Sequence, residues 1–424
     1  MAEETFLSDD FLGQLMGVGE VDLLVGIPTH NHAKTIGTLV QTIEECLVQT
    51  FPRERVVIVN ADGGSRDDTQ GVLLRAASQQ HKNSRGLTTL RTMHRISTRY
   101  ASSPAPVLAL RTILAAAELL RTKACAIISP ENSQQACGWV ANLLRPAFQE
   151  QFDFVAPLYS RHKYDGLLAR NLLYPMSRAV FGKRIRELHS GEFGFSGRLA
   201  SHCLSQTVWQ EEVVRESPEY WMAITAVSGG FRCCQSYLGP KARPDITPDI
   251  VAAIRQTVGT LFWCLESQSN FWMDHVGSES VPTFGPDHEL MSAPVRVNRK
   301  MLFEMFRSGI ADLEEILGSV LHADTFAEIK QLAATDGGFH YRNDLWAKTL
   351  YEFAASYHHG ALNRDHLIQA LVPLYRGKIH SFLLQHHESS SEQMETETEN
   401  LCLEMESKKP YLVELWKTNS EVKS

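Results

Sequence analysis

The chain has 424 residues, 43% hydrophobic and 21% charged, the balance of a globular protein long enough for two domains of ordinary size. A formal net charge of −8 and a pI near 6.1 argue against a nucleic-acid or anionic-membrane partner, which would want a basic surface. A local basic pocket for a phosphate stays compatible with that balance.

The acidic start MAEETFLSDD lacks the basic n-region of a secretory signal. Every apolar stretch is broken by charge before the roughly 18 residues of a membrane span, so a cytoplasmic location without membrane contact is expected. The eight cysteines (Cys46, Cys125, Cys137, Cys203, Cys233, Cys234, Cys264 and Cys402) form no CxxC pair. Several sit in apolar runs such as AELLRTKACAII, and they read as reduced core thiols.

In chain order, residues 1–20 form an extension. Val21–Pro28 is a strand ending in proline, and Ala33–Val48 is a helix with Ile36, Leu39, Val40, Ile43 and Leu47 on one face. Arg55–Asn60 is a second buried strand, closed by the turn Asp62-Gly63-Gly64-Ser65; Asp67–Gln79 is a helix with Ser65 or Asp67 as its cap. Thr89–Ile96, Ala124–Ile128 and Phe152–Tyr159 are strands, with Ala105–Arg121 and Gln135–Leu144 as helices between them. Such alternation predicts an α/β fold, a mostly parallel sheet covered on both faces. Ligands in such sheets bind beyond the carboxyl ends of the strands, here after Ile27, Asn60, Ile128 and Leu158.

The sheet domain is expected over 21–245 and a helical accessory region over 246–387. Lys300–Ser308, Asp312–Leu321, Phe326–Leu332, Asp344–Tyr357 and Arg364–Val372 all carry apolar residues at helical spacing. Within 388–424, Glu388–Asn400 (ESSSEQMETETEN) reads as a polar linker or an extended helical arm. Lys409–Trp416 (KPYLVELW) reads as a segment that docks back onto the body. The doublets His358-His359 and His386-His387, and the pair His30 and His32, are expected to be surface features. Phe262, Trp263, Phe271 and Trp272 are expected in packing.

The strongest local pattern is a pair of strand ends, GIPTHNHAKTIGTLV and VVIVNADGGSRDDT. Pro28 and Thr29 offer backbone groups to a base or ribose. Asp62 accepts from a base N–H or a ribose hydroxyl, and Gly63 and Gly64 admit close backbone approach.

This pair resembles the GT-A (Rossmann-like) glycosyltransferases, whose first strand ends in Pro-Thr/Ser-x-Asn, matched here through Asn31, and whose second ends in Asp-Gly-Ser-x-Asp-x-Thr. YSRHKYDG, LLYPMSRAVFGKRIRE, GEFGFSG and KPYLVELW are similar to the bacterial glucosylglycerate synthases, relatives of the glucosyl- and mannosyl-3-phosphoglycerate synthases. The resemblance implies a retaining transferase moving glucose or mannose from a nucleoside diphosphate sugar to glycerate, phosphoglycerate or a similar small carboxylate. It also implies a homodimer. Arg161, Lys163, Tyr164 and Asp165, with His162 beside them, are the expected acceptor contacts, to which Arg178 and Arg184 could add.

The diphosphate corner departs from the family. Ser129, Pro130 and Glu131 stand where it carries Asp-x-Asp, leaving Glu131 as the one carboxylate for a divalent metal (Mg or Mn). Ala105-Pro106-Val107 replaces Gly-Lys-Gly, with Arg111 kept. Arg243 stands at the metal-binding His, with Lys241 kept, and Glu192 and Glu219 stand at two Asp positions.

Two readings follow. One is a transferase with weak or no metal dependence, Arg243 and Lys241 holding the diphosphate. The other is a catalytically silent homologue acting as a binding or scaffold subunit. A sugar-1-phosphate nucleotidyltransferase would want a glycine-rich loop after the first strand, and PTHNHAK has no glycine.

Overall fold

The computed structural model describes residues 6–83, 93–132, 136–241, 250–286, 298–334 and 339–418. Its elements begin with α1 (Asp9–Val18), β1 (Leu23–Thr29), α2 (Ile36–Thr50), β2 (Val56–Asp62), α3 (Thr69–Asn83) and β3 (Met93–Arg99). They continue through α4 (Pro106–Leu119), β4 (Ala124–Ile127), α5 (Ala136–Phe148), β5 (Phe154–Ser160), α6 (Tyr174–Phe181), β6 (Lys183–Arg184), β7 (Phe193–Ser196), α7 (Gly197–Leu204), α8 (Pro218–Ser228) and β8 (Cys233–Pro240). The remainder comprises α9 (Ile250–Ser267), α10 (Ser269–Trp272), β9 (Glu279–Ser280), β10 (Thr283–Phe284), α11 (Arg299–Asp312), α12 (Glu314–Val320), α13 (Ala323–Ala334), α14 (Asn343–His358), α15 (Arg364–Gln385) and α16 (Ser391–Lys417).

The chain forms two compact units. The first draws on Met1–Leu158, Glu187–Leu238 and Val281–Asp287 and holds a sheet of order β10-β8-β5-β7-β4-β1-β2-β3. β1 runs parallel to β2 and β4, and β2 parallel to β3; β7 alone among these runs antiparallel, to β4 and β5. The α/β expectation with a mostly parallel sheet therefore holds. All seven residues of β2 are buried, as are the four of β4, because helices cover both faces and leave no polar side to the strand. On α2, Ile36, Leu39, Val40, Ile43 and Leu47, the stripe read from the sequence, turn inward, with Glu44 and Cys46 buried beside them.

At the start of α3 Asp67 accepts the Thr69 N–H at 3.2 Å, while Ser65 is turned to Asp62. The third strand starts at Met93 and reaches Arg99, because its register with β2 runs to Asp62↔Arg99; Thr89–Thr92 lie outside the described residues.

The second unit draws on Tyr159–Arg186, Gly239–Ser280 and His288–Ser424 and is almost wholly helical, with β6 and β9 as a two-stranded ribbon. α15 extends thirteen residues beyond the expected Val372, through Pro373. Packing overrides the lost hydrogen bond there, since the Pro373 ring lies against Gly309 of α11. Of the two forms expected for 388–400 the structure has the helix: α16 opens on a capping box, Ser390 with Gln393, and runs unbroken through KPYLVELW. Met394, Thr398, Leu401, Cys402, Met405, Lys409, Leu412 and Trp416 form its buried face. No described helix is long and apolar enough to cross a membrane.

Candidate functional site

The site is built on the parallel pairing of β1 with β2, which sets Thr29 beside Asp62. The Thr29 hydroxyl donates to Asn60 Oδ1 at 2.8 Å and lies 3.2 Å from Asp62 Oδ1. Asp62 is wholly buried and accepts the Ser65 N–H at 2.9 Å and the Ser65 hydroxyl; Arg99 Nε is 3.8 Å away. Asn31, in the left-handed region at φ 59°, donates its N–H to Ser65 Oγ at 2.8 Å and accepts the Arg66 N–H at 2.8 Å. His30 Nδ1 donates to the Gly63 carbonyl at 2.9 Å. Asp62 and Asn31, expected to meet a nucleoside, thus tie the two loops together.

Gly63 and Gly64 do admit a close approach, but by the chain itself. A Cβ on Gly63 would stand 2.7 Å from the Tyr100 hydroxyl, and one on Gly64 (φ +75°) 2.5 Å from the Ser102 carbonyl oxygen. Tyr100 is anchored by its N–H to the Asp62 carbonyl at 3.1 Å, and its hydroxyl accepts the Ala105 N–H at 3.2 Å. Burial pushes that phenol up from its ordinary value.

Beside this corner lies a cavity of about 300 Å³. Its floor is Pro28, Thr29 and Ile127, at the carboxyl ends of β1 and β4; one wall is Pro106, Ala109, Leu110 and Ile113 of α4, and Ser190, Gly191 and Phe193 stand opposite. β2 and β3 lie on one side of β1 and β4 on the other, so the cavity sits at the point where strand order reverses, the usual ligand crevice of such sheets. His30, Tyr100, Pro104, Ala105, Glu216, Pro218 and Glu219 complete the lining, which contains no Lys or Arg among the described residues. His189 Nδ1 is 2.6 Å from Glu219 Oε1. Arg111, on α4, does not line the cavity; its guanidinium lies over the rings of Phe6, at 4.1 Å, and Trp209, at 5.7 Å.

At the carboxyl end of β4, Ser129 donates its hydroxyl to Glu131, and Glu131 Oε1 is 3.4 Å from His32 Nε2. Among the described residues no three His, Cys, Asp or Glu side chains are grouped to hold a metal ion. Glu131, the one carboxylate expected for a divalent metal, is thus engaged with Ser129 and His32. Arg243 lies outside the described residues.

Lys241 belongs to the second unit, where it is buried with Nζ 3.4 Å from the Tyr159 hydroxyl. The RHKYDG cluster lies in the same unit. Arg161 pairs with Asp165 at 3.5 Å, and the Gly166 N–H donates to Asp165 Oδ1 at 3.0 Å. Lys163 Nζ donates to the carbonyls of His387, at 2.7 Å, and Ser389, at 3.3 Å, and the Tyr164 hydroxyl donates to His387 at 3.4 Å. Burial, then the Lys163 charge, lowers the His162 imidazole.

Arg178 is corrected from a ligand contact to an internal hub. It is wholly buried, forked onto Glu399 at 2.5 and 2.8 Å, and donates to Glu406 at 2.6 Å and Ser278 at 3.1 Å. Sequence reasoning missed Tyr100 and the His189–Glu219 pair. The signal for Tyr100 was available, since it follows the carboxyl end of the third strand. His189 and Glu219 are thirty residues apart with no motif joining them.

No family model matches the chain, and no curated protein matches it. Solved structures of glucosyl-3-phosphoglycerate synthase from Mycobacterium tuberculosis are similar in part. Its complex with Mn2+, uridine diphosphate and phosphoglyceric acid is 19% identical over 61% of this chain and 82% of that chain, with a TM-score of 0.41. Its complex with Mn2+, uridine diphosphate and glucosyl-3-phosphoglycerate is 19% identical over 61% and 84%, also at 0.41. A further structure of the enzyme is 18% identical over 60% and 84%, at 0.39. At that identity the likeness carries no residue's role across.

Proposed function

We propose that the chain is a GT-A type glycosyltransferase that moves a hexose from a nucleoside diphosphate sugar to glycerate, phosphoglycerate or a similar small acceptor, with retention and without a protein-held metal. The observation that supports this most is the cavity at the carboxyl ends of β1 and β4, the crevice such a sheet reserves for a nucleotide ligand. Pro28 and Thr29 form the donor's floor, and His30 and Tyr100 its rim. In the transfer, the bond between the anomeric carbon and the diphosphate oxygen breaks, an acceptor hydroxyl oxygen takes that place on the same face, and the hydroxyl proton leaves with the departing diphosphate.

A second reading, a catalytically silent homologue that binds a ligand or scaffolds a partner, is favoured by one observation. The charged groups of the cavity lining are Glu216 and Glu219, which do nothing to offset a departing diphosphate.

Calorimetry with UDP-, GDP- and ADP-sugars, with and without Mg2+ or Mn2+, tests both, joined to a nucleoside diphosphate release assay with glycerate and 3-phosphoglycerate. Metal-independent binding with turnover is the expected result. Binding without turnover favours the silent homologue, and no binding of any nucleotide sugar overturns the transferase. Tyr100→Phe and Thr29→Val, each weakening binding several-fold, would place the donor in this cavity.

A further inference from the structure

All eight cysteines are free thiols, and seven of them are buried; Cys137 is the half-exposed one. It sits in the first turn of α5, against the late turns of α2 that carry Cys46. The Cys46 thiol donates to the Cys137 carbonyl with Sγ 2.7 Å from the oxygen, which sets the Cys46 sulfur against the first turn of α5. Both residues lie in the sheet unit. One cysteine reachable from solvent and one sealed behind it at the same helix contact form the arrangement of an attacking and a resolving cysteine.

We infer that Cys46 and Cys137 are a redox-modification site, at which a hydroperoxide drives formation of a disulfide joining α2 to α5. The half-exposed Cys137 sulfur attacks one peroxide oxygen. The O–O bond breaks, an S–O bond forms, and with hydrogen peroxide the first water leaves. The Cys46 sulfur then attacks the Cys137 sulfenic acid; the S–S bond forms, the S–O bond breaks, and the hydroxyl departs as water with the Cys46 proton. Two thiols lose two electrons and one peroxide becomes two waters.

The order of events follows from burial. The interior pushes the Cys46 thiol up to about 12, so Cys46 is a poor first nucleophile and serves to resolve. Other pairings are closed by geometry. Cys233 and Cys234 are successive residues of β8, so their side chains point to opposite faces. Cys125 and Cys264 are sealed in the interior, and burial pushes each thiol up.

The test treats the full chain with a small excess of hydrogen peroxide, alkylates remaining thiols under denaturing conditions without reductant, and maps peptides by mass. The expected result is a Cys46–Cys137 linked peptide pair, two hydrogens lighter than the sum and released by dithiothreitol. Cys46→Ser should leave Cys137 as a sulfenic acid captured by dimedone, whereas Cys137→Ser should leave Cys46 alkylatable. If peroxide-treated wild type yields both residues alkylated, or a link between other cysteines instead, the inference is overturned. The wild-type map needs no variant to fold.

Discussion

His32 Nε2 lies 3.4 Å from Glu131 Oε1, so the loop after β1 and the turn after β4 are joined across the head of the sheet. His32 Nδ1 accepts the His30 N–H at 3.0 Å, which leaves the ring proton on Nε2, facing the carboxylate. Both partners keep some exposure, 21% and 42%, and a pair so placed contributes at most about 1 kcal/mol. Glu131→Ala should therefore shift the free energy of unfolding by less than about 1 kcal/mol. It should leave the ratio of nucleotide-sugar Kd with and without Mn2+ unchanged. Denaturant titration and calorimetry measure the two; a lost Mn2+ effect would make Glu131 a metal ligand after all.

Gly64 holds φ +75°, and a Cβ there would meet the Ser102 carbonyl carbon and oxygen at 2.6 and 2.5 Å. Gly64→Ala should therefore destabilise the sheet unit by about 2–4 kcal/mol, strain and displacement of the 100–104 segment combined. Differential scanning calorimetry reads the loss. Nucleotide-sugar affinity should fall with it, because Tyr100 lines the cavity from that same segment.

Arg178 is buried with Glu399 and Glu406 as partners. Arg178→Met should destabilise by about 3 kcal/mol by stranding those carboxylates, and Arg178→Lys should recover only part, lacking the fork. The hydrogen bond from Arg178 holds the Glu399 carboxyl below its ordinary 4.5. A lowered carboxyl contributes stability that is present above that value and lost as pH falls through the folded one. Urea midpoints taken from pH 7 down to 3 should thus show a shallower acid decline in Arg178→Met than in wild type.

Lys378 is buried, donating to the Tyr341 carbonyl at 3.2 Å and to Asn343 Oδ1 at 2.6 Å; burial lowers its ammonium from 10.5 to about 8. A lowered amine binds fewer protons folded than unfolded between those values, so its burden on stability is full below about 8 and relieved as pH rises to 10.5. Wild type should accordingly gain on Lys378→Met across that window, by an amount on the order of 3 kcal/mol. The comparison with the variant cancels the buried tyrosines and cysteines, whose titration runs the other way. A flat difference between the two unfolding profiles would refute it.

The sheet was legible because its strands are apolar on both faces and its helices carry a clean stripe, as in RVVIVN and in Ile36 to Leu47. The long α16 was half-legible: its buried positions recur every three or four residues, yet glutamates such as Glu395 and Glu399 fill the other face and mimic a linker. Only tertiary partners show their purpose, for Arg170 and Arg186 both reach Glu395. At the site, the corner residues Pro28, Thr29, Asn31, Asp62 and Gly63 do come together. What each one touches was not legible, because a hydrogen bond to Ser65 or to a ligand looks the same in a string of letters. Contacts between distant segments, such as His189 with Glu219, leave no periodic trace at all.

The two compact units are interleaved along the chain, which passes from one to the other five times between Leu158 and His288. Neither unit can be released by a single cut or encoded as a separate gene segment. During synthesis β8 waits for β10, and with it residues 281–287, before that edge of the sheet can close. The helical region therefore cannot be shed by simple truncation: a stop codon placed anywhere before residue 281 removes part of both bodies.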